Sequence, residues 1–299
     1  MIMKHFSYKT SFAILGALLL PSSIMAQKQT LAVSAVKPIP ALVIDVTRNG
    51  KLNSLNRVVE SLDGQLINSL NATRKFELVS RSDLNHVIQE QGLAGSGNVD
   101  ANDTSAAKQA KLAGAKYLIV TTVDNFEDKT ETLSLDGGRT ISATKRTIKL
   151  SVVAKIYDST TGKLLESATV PCRQMNPSES DDPLLFTVRE ASDRLSTRIV
   201  DVIFPAKVLI KRDKQITINR GDGTGIAIGQ VWNVFQVGEE LIDPDTKESL
   251  GHEEVLIGRA RVISVQPKTS TADLLEDNGV DKGAVLRLPP GAAMDAFRP

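Results

Sequence analysis

Pro205 separates two stretches with different hydrophobic periods. Before it, Leu52, Leu55, Val58, Val59, Leu62, Leu66, Ile67 and Leu70 recur at three and four, the pattern of an amphipathic helix. After it the helical period disappears. Val208–Ile210, Gln215–Ile218, Val231–Val237, Glu254–Ile257, Ala260–Val265 and Ala284–Leu288 are short apolar or alternating runs between turn residues. A helical stripe and a set of short strands need different partners to bury their apolar sides. The chain is therefore expected to build two hydrophobic cores.

The first region reads as α+β. Ala41–Asp45 is a continuous apolar run, expected as a buried strand. Phe76–Ser80 and Lys116–Val123 are further strands. Ser82 caps a helix through Gln91, and Asp103 or Thr104 starts an Ala-rich helix that Gly114 ends. Thr147–Tyr157 alternates, with Ile148, Leu150, Val152, Ala154 and Ile156 on one face. Asp158–Gly162 is turn chemistry, and Leu164–Val170 returns as the second arm of a hairpin. Pro183 opens a last helix, with Val188, Ala191, Leu195, Ile199 and Val202 as its stripe. The order β-α-β-α-α-β-β-β-α suits one mixed sheet with helices packed on it. A small all-β barrel-like domain follows.

The amino terminus reads as a secretory leader. Lys4, His5 and Lys9 precede the apolar run Ser11–Leu20, Pro21 and a small-residue exit ending at Ala26. Cleavage is expected between Ala26 and Gln27. The alternative, an uncleaved anchor, needs about 20 apolar residues, roughly twice this run. No Cys stands near the cut, so no lipid anchor is expected. The expected boundaries are 1–26 leader, 27–37 mobile linker, 38–205 first domain, 206–288 barrel and 289–299 tail.

Composition narrows the function. Loss of Lys4 and Lys9 turns 36 basic against 35 acidic side chains into 34 against 35, so no net charge drives binding to nucleic acid. Aromatic residues are 4%, too few for a ring-lined sugar cleft or the girdles of an outer-membrane barrel. The one cysteine, Cys172, cannot close an internal disulfide and reads as buried packing.

The motifs fall short of chemistry. Gly221, Gly223, Gly225 and Gly229 suggest a phosphate loop, but no helix follows them and tight barrel turns explain them. Arg220-Gly-Asp222 spells an adhesion tripeptide inside that turn. Asp243 and Asp245 have a calcium-loop spacing that Lys247 spoils. His86 has no second ligand at helical spacing. His252 sits beside Glu253 and Glu254, which alternate across a strand. Asp181 and Asp182 read as a solvated pair before Pro183. No catalytic, metal-binding or cofactor-binding residue is identified, and no enzyme or cofactor is expected.

Three stretches carry a resemblance: Phe76-Glu-Leu-Val-Ser-Arg81, Ala113-Gly-Ala-Lys-Tyr-Leu-Ile119 and Tyr157-Asp-Ser-Thr-Thr-Gly-Lys-Leu-Leu165. With their element order, they make Ala41–Phe204 resemble the curli-secretion-channel family domain. That domain is in turn similar to the amino-terminal domain of the Tol-system translocation protein and to periplasmic activators of penicillin-binding proteins. Ile218–Gly229, Asp243–Gly251 and Ile257–Val262 are similar to the carboxy-terminal domain of the flagellar protein that builds the basal-body H ring. The curli channel's two membrane hairpins would fall at Asn125–Lys149 and Val170–Pro183. Both stretches are charged and lack the required alternation, and Thr47–Lys51 has no aromatic constriction, so no pore is expected. The resemblance implies a periplasmic, non-enzymatic scaffold peripheral to the outer membrane, flagellar-ring-like or secretion-associated. It implies envelope protein partners, self-association into a ring, and no integral membrane segment after cleavage. Sheet edges such as Thr130 to Arg146 would recruit a partner strand. The alternative is a regulator binding a peptidoglycan-synthesis enzyme.

Overall fold

The computed structural model describes residues 28–80, 114–134, 142–175 and 182–289. The expected leader with its cut between Ala26 and Gln27, the helix expected over Ser82–Gln91, the Ala-rich helix expected after Asp103, and residues 290–299 of the expected tail lie outside the described residues.

The first domain is a mixed sheet, with its described helices packed on one face. Its strands are β1 (Gln29–Val33), β2 (Lys37–Pro38), β3 (Phe76–Ser80), β4 (Tyr117–Ser134), β5 (Ser142–Asp158) and β6 (Leu164–Met175). They lie in the order β3-β1-β4-β5-β6, with β2 beside β4. β1 runs parallel to β3 and to β4, while β4, β5 and β6 are antiparallel. The helices are α1 (Pro40–Arg48), α2 (Leu52–Ala72) and α3 (Pro183–Ile203).

Two expectations are corrected here. The stretch expected as a mobile linker, 27–37, holds strand structure at Gln29–Val33 and at Lys37. Within it β1 is an interior strand, with Leu31, Ala32 and Val33 at 0–3% exposure. These three consecutive residues are buried on both faces, as in parallel strands, so they show no alternation. The run Ala41–Asp45 is not a strand but the body of α1. Pro40 occupies the first turn, where its fixed φ suits a helix and its missing N–H costs nothing. Leu42 and Val46, four apart, face the core, while Ile44 is exposed. An apolar run this short does not separate strand from helix.

The other elements follow their periods. Leu55, Val58, Leu62, Leu66 and Leu70 form the buried stripe of α2. Val188, Ala191, Leu195 and Ile199 do the same on α3. Asp182 caps α3, its Oδ1 accepting from the Leu184 N–H at 3.0 Å, and its carboxylate also meets Arg57 at 2.7 Å. Ile148, Leu150, Val152, Ala154 and Ile156 present one buried face of β5 to these helices. At the β5–β6 turn, Asp158 Oδ1 accepts from the N–H groups of Thr160 and Thr161.

The second domain is a closed barrel of β7 (Ala206–Arg212), β8 (Gln215–Ile218), β9 (Val231–Ile242), β10 (Ser249–Val265), β11 (Ser270–Asp277) and β12 (Val285–Arg287), in the order β10-β11-β8-β7-β12-β9. Its interior holds Val208, Ile216, Ile218, Val234, Ala260, Val262 and Ala272, with Trp232 among them. The Trp232 Nε1–H donates to Gln230 Oε1 at 3.1 Å. The structure joins Glu254–Ile257 and Ala260–Val265 into one strand and adds β11, which is not among the expected runs. Ala272 and Leu274 alternate there with Thr271 and Asp273, a short signal masked by flanking acidic residues. The hairpin of β9 and β10 outruns the barrel. Every residue from Gln236 to Ile242 and from Ser249 to Leu256 is exposed.

Candidate docking site

The two domains meet where the glycine-bearing loop after β8 seats on the ends of α2 and α3. Gly223 has φ +77°, and a Cβ there would lie 2.7 Å from the Ala72 carbonyl oxygen. Gly225 has φ +76°, with Thr197 Cγ2 2.6 Å from the same virtual atom. Glycine is required at both positions for conformation and for closeness. The motif that resembles a phosphate loop is thus a docking loop between domains.

Arg220, 1% exposed, is the centre of the seam. Its Nη2 donates to Asp201 Oδ1 and to the Phe204 carbonyl oxygen, the latter at 2.9 Å. An arginine enclosed in this way cannot present an adhesion tripeptide. Burial raises the Asp201 carboxyl above its usual range, against the pull of Arg220, Arg198 and Arg287. Lys75 reaches across to the Asn219 carbonyl oxygen at 2.5 Å, and Arg74 to that of Pro267 at 3.1 Å. Burial and the nearby Arg220 charge lower the Lys75 pKa.

Beside the seam runs a groove of about 430 Å³ between β6 and α3. Ser167 and Thr169 of β6 form one wall, and Arg194, Thr197, Arg198 and Asp201 the other. A smaller cavity of about 200 Å³ continues it into the seam. The two share Thr197, Arg198 and Asp201, and the cavity ends against Trp232 and Arg287. Arg198 pairs with Glu166 at the mouth, and Arg287 pairs with Glu254 at 2.6 Å.

The groove's strand wall is an open sheet edge. Among the described residues β6 pairs only with β5. Arg194 Nη1 donates to the Pro171 carbonyl oxygen at 3.1 Å, which shows that this peptide group faces away from β5. Strand alternation turns the peptide groups of Thr169 and Ser167 the same way. Pro171, lacking an N–H, blunts the edge at one end, a common device on edge strands.

The edge expected at Thr130 to Arg146 is different in the structure. Those two residues pair with each other across β4 and β5, and Arg146 grips Asp128 through two bonds of 3.0 and 2.9 Å. Among the described residues, the unpaired edge there is the outer side of β4 beyond Val123, where β2 stops. This stretch of the ribbon also binds Lys149 to Glu127 at 2.5 Å.

The remaining sequence candidates do not converge. Cys172 is buried, and its thiol is pushed up to about 12, by burial first and by Glu190 second. His252 is exposed, with Nδ1 3.3 Å from the Gly238 carbonyl oxygen. Asp243 Oδ1 accepts from the N–H groups of Asp245 and Thr246, closing a turn. Among the described residues no group of three or more His, Cys, Asp or Glu side chains is placed to hold a metal ion. No described helix is long and apolar enough to cross a membrane. The seam was not foreseen from the sequence. Its signal was present in the closely spaced glycines after Arg220.

Comparison with known proteins gives a family match for the first domain. Residues 41–180 match the family model for the curli production assembly/transport component CsgG. An uncharacterized protein of Aquifex aeolicus (strain VF5) is 32% identical over 85 residues, which is 28% of this chain and 17% of that protein. The chain thus spans less than a fifth of that relative's length. The hypothetical protein CT253 from Chlamydia trachomatis is 14% identical with a TM-score of 0.35, covering 60% of this chain and 99% of that one. TolB from Acinetobacter baumannii is 12% identical with a TM-score of 0.29, covering 82% of this chain and 57% of that one. The PelC dodecamer from Paraburkholderia phytofirmans is 12% identical with a TM-score of 0.30, covering 55% of this chain and 84% of that one. Over residues 41–180 this chain is similar to the curli production assembly/transport component family.

Proposed function

We propose that the protein is a non-enzymatic component of the bacterial cell envelope that works by docking other proteins. The leader ending at Ala26 directs it to the periplasm, where it acts beside the outer membrane as part of a secretion-associated or flagellar-ring-like assembly. The observation that carries the docking is the open edge of β6 lining a groove against α3. An extended segment entering there gains main-chain hydrogen bonds from Ser167 and Thr169, and Arg194 closes the Pro171 end. The match of residues 41–180 to a family of assembly and transport components supports the same reading.

The experiment is an edge block. Thr169→Pro removes an outward N–H from an edge strand, where proline is tolerated. A photo-crosslinker at Ser167 in living cells is expected to capture an envelope protein, and Thr169→Pro is expected to abolish that capture with the fold unchanged by circular dichroism. Capture undiminished by Thr169→Pro would refute strand addition at β6. A hydrolytic or transferase activity of the purified chain would refute the non-enzymatic assignment.

A further inference from the structure

The β9–β10 hairpin beyond the barrel is an unfinished surface. A two-stranded ribbon alone in water is marginal, because neither strand has a second neighbour and its faces bury little. From Gln236 to Leu256 this arm carries seven acidic side chains against one lysine, Lys247. It also exposes Val237, Leu241, Ile242, Leu250, Val255 and Leu256, each by 40–66%. Val237, Glu239 and Leu241 alternate onto one face.

The same barrel carries the complement. On β7 and its turn, Lys207, Arg212 and Lys214 stand against one acid, Asp213, while Lys211 is already paired with Asp277 at 2.7 Å. Leu209 and Ile210 lie exposed between them, at 37% and 48%. A register irregularity between Val208 and Ile210 turns both side chains out of the barrel wall. β12 pairs with β7 at Ala206 and Lys207, and Gly283 and Ala284 just before it bond to Val208, so among the described residues the edge is uncovered from Leu209 to Arg212. The arm and this wall do not cover each other within one molecule, since both remain exposed.

We infer that the acidic, apolar arm of one copy docks on the basic, apolar β7 wall of a second copy. The apolar side chains supply the attraction, and the opposed charges fix which surface meets which. The inference rests on reading the chain as an assembly component, and it names the surface through which copies join.

The experiment uses the full chain and mixed cysteine variants. Cys172 is buried and gives little background. Leu241→Cys protein is mixed with Leu209→Cys protein under mild oxidation. A disulfide-linked dimer is expected in the mixture and in neither variant alone. Mass measured by sedimentation is expected to rise with concentration, and to fall several-fold in association strength from about 0.05 to about 0.5 M salt. Glu239→Lys and Arg212→Glu should each weaken association about tenfold, and mixing the two variants should restore it. Trp232 fluorescence checks that each barrel is folded. Dimers of Leu241→Cys alone would mean arm-to-arm pairing and overturn the inference. A monomer at every concentration would also overturn it. That outcome leaves the docking role of β6 standing, because the Ser167 crosslink reads a different surface and a different partner.

Discussion

Replacing Arg220 by methionine keeps much of the buried stem and removes the guanidinium. Two interactions go with it, the charge-assisted bond to Asp201 and the bond to the Phe204 carbonyl at 2.9 Å. The first is worth about 1.5–3 kcal/mol and the second about 1 kcal/mol. Breaking a fully buried ion pair costs about 3–5 kcal/mol because the partner charge is stranded. Asp201 keeps 34% of its side-chain surface, so water stabilises part of the stranded charge. The expected loss for Arg220→Met is therefore about 2–3 kcal/mol at about pH 7. Its pH dependence has a definite sign. The Asp201 carboxyl is raised in the fold, so the fold favours its protonated form. That contribution is present below the unfolded value of about 3.9 and is lost as pH rises through the folded pKa. Removing Arg220 raises the carboxyl further, so the deficit should shrink toward about pH 4. The assay is urea unfolding followed by two probes. The single tryptophan, Trp232, lies in the barrel, while the long helices lie in the first domain. Arg220→Met should part the two transitions as well as lower them. With Asp201→Asn in a double-mutant cycle, the two losses should fail to add by at least about 1 kcal/mol. A loss below about 0.5 kcal/mol, or a deficit that does not shrink in acid, would refute the reasoning about the seam.

Other outcomes follow from single positions. Gly64 is exposed within α2 with open space around a virtual Cβ, so Gly64→Ala should stabilise the protein by about 0.5–1 kcal/mol in the same unfolding assay. Gly223→Ala should cost about 2 kcal/mol or more, since it meets backbone at 2.7 Å from a left-handed conformation; an unchanged midpoint would contradict the docked loop. The Cys172 thiol, pushed up to about 12, should resist iodoacetamide at neutral pH and react on unfolding; fast labelling of the native chain would place it outside the core.

Much of the fold is written in local periods. The stripes of α2 and α3, the alternation of β5 and the turn at Asp158 each follow from neighbours three, four or two residues apart. The barrel was legible from the loss of helical period after Pro205. Two errors share one cause. Gln29–Val33, with only Leu31, Ala32 and Val33 apolar, and Ala41–Asp45 are each five residues long, and a period needs more than five residues to declare itself. Pro40 was the overlooked local clue to a helix. β11 was missed because Asp273, Glu276 and Asp277 dilute its alternation.

The candidate site was far less legible. The absence of a recognisable catalytic motif could be read along the chain, as could the glycines after Arg220. That Gly223 faces Ala72 could not, because that contact spans more than a hundred residues. Nor could an edge strand be told from an interior one, since β5 and β6 have similar local patterns and differ only in how many neighbours they find.

Residue order alone determined two cores, the helical stripes and a nearly balanced charge, because these depend on spacing and composition. Tertiary structure decided that Gln29–Val33 enters the sheet, that Arg220 is buried against Asp201, and that among the described residues β6 has only β5 beside it and the β9–β10 arm extends past the barrel with its side chains exposed. Each of these depends on which distant surface a residue meets, and local period carries no information about that.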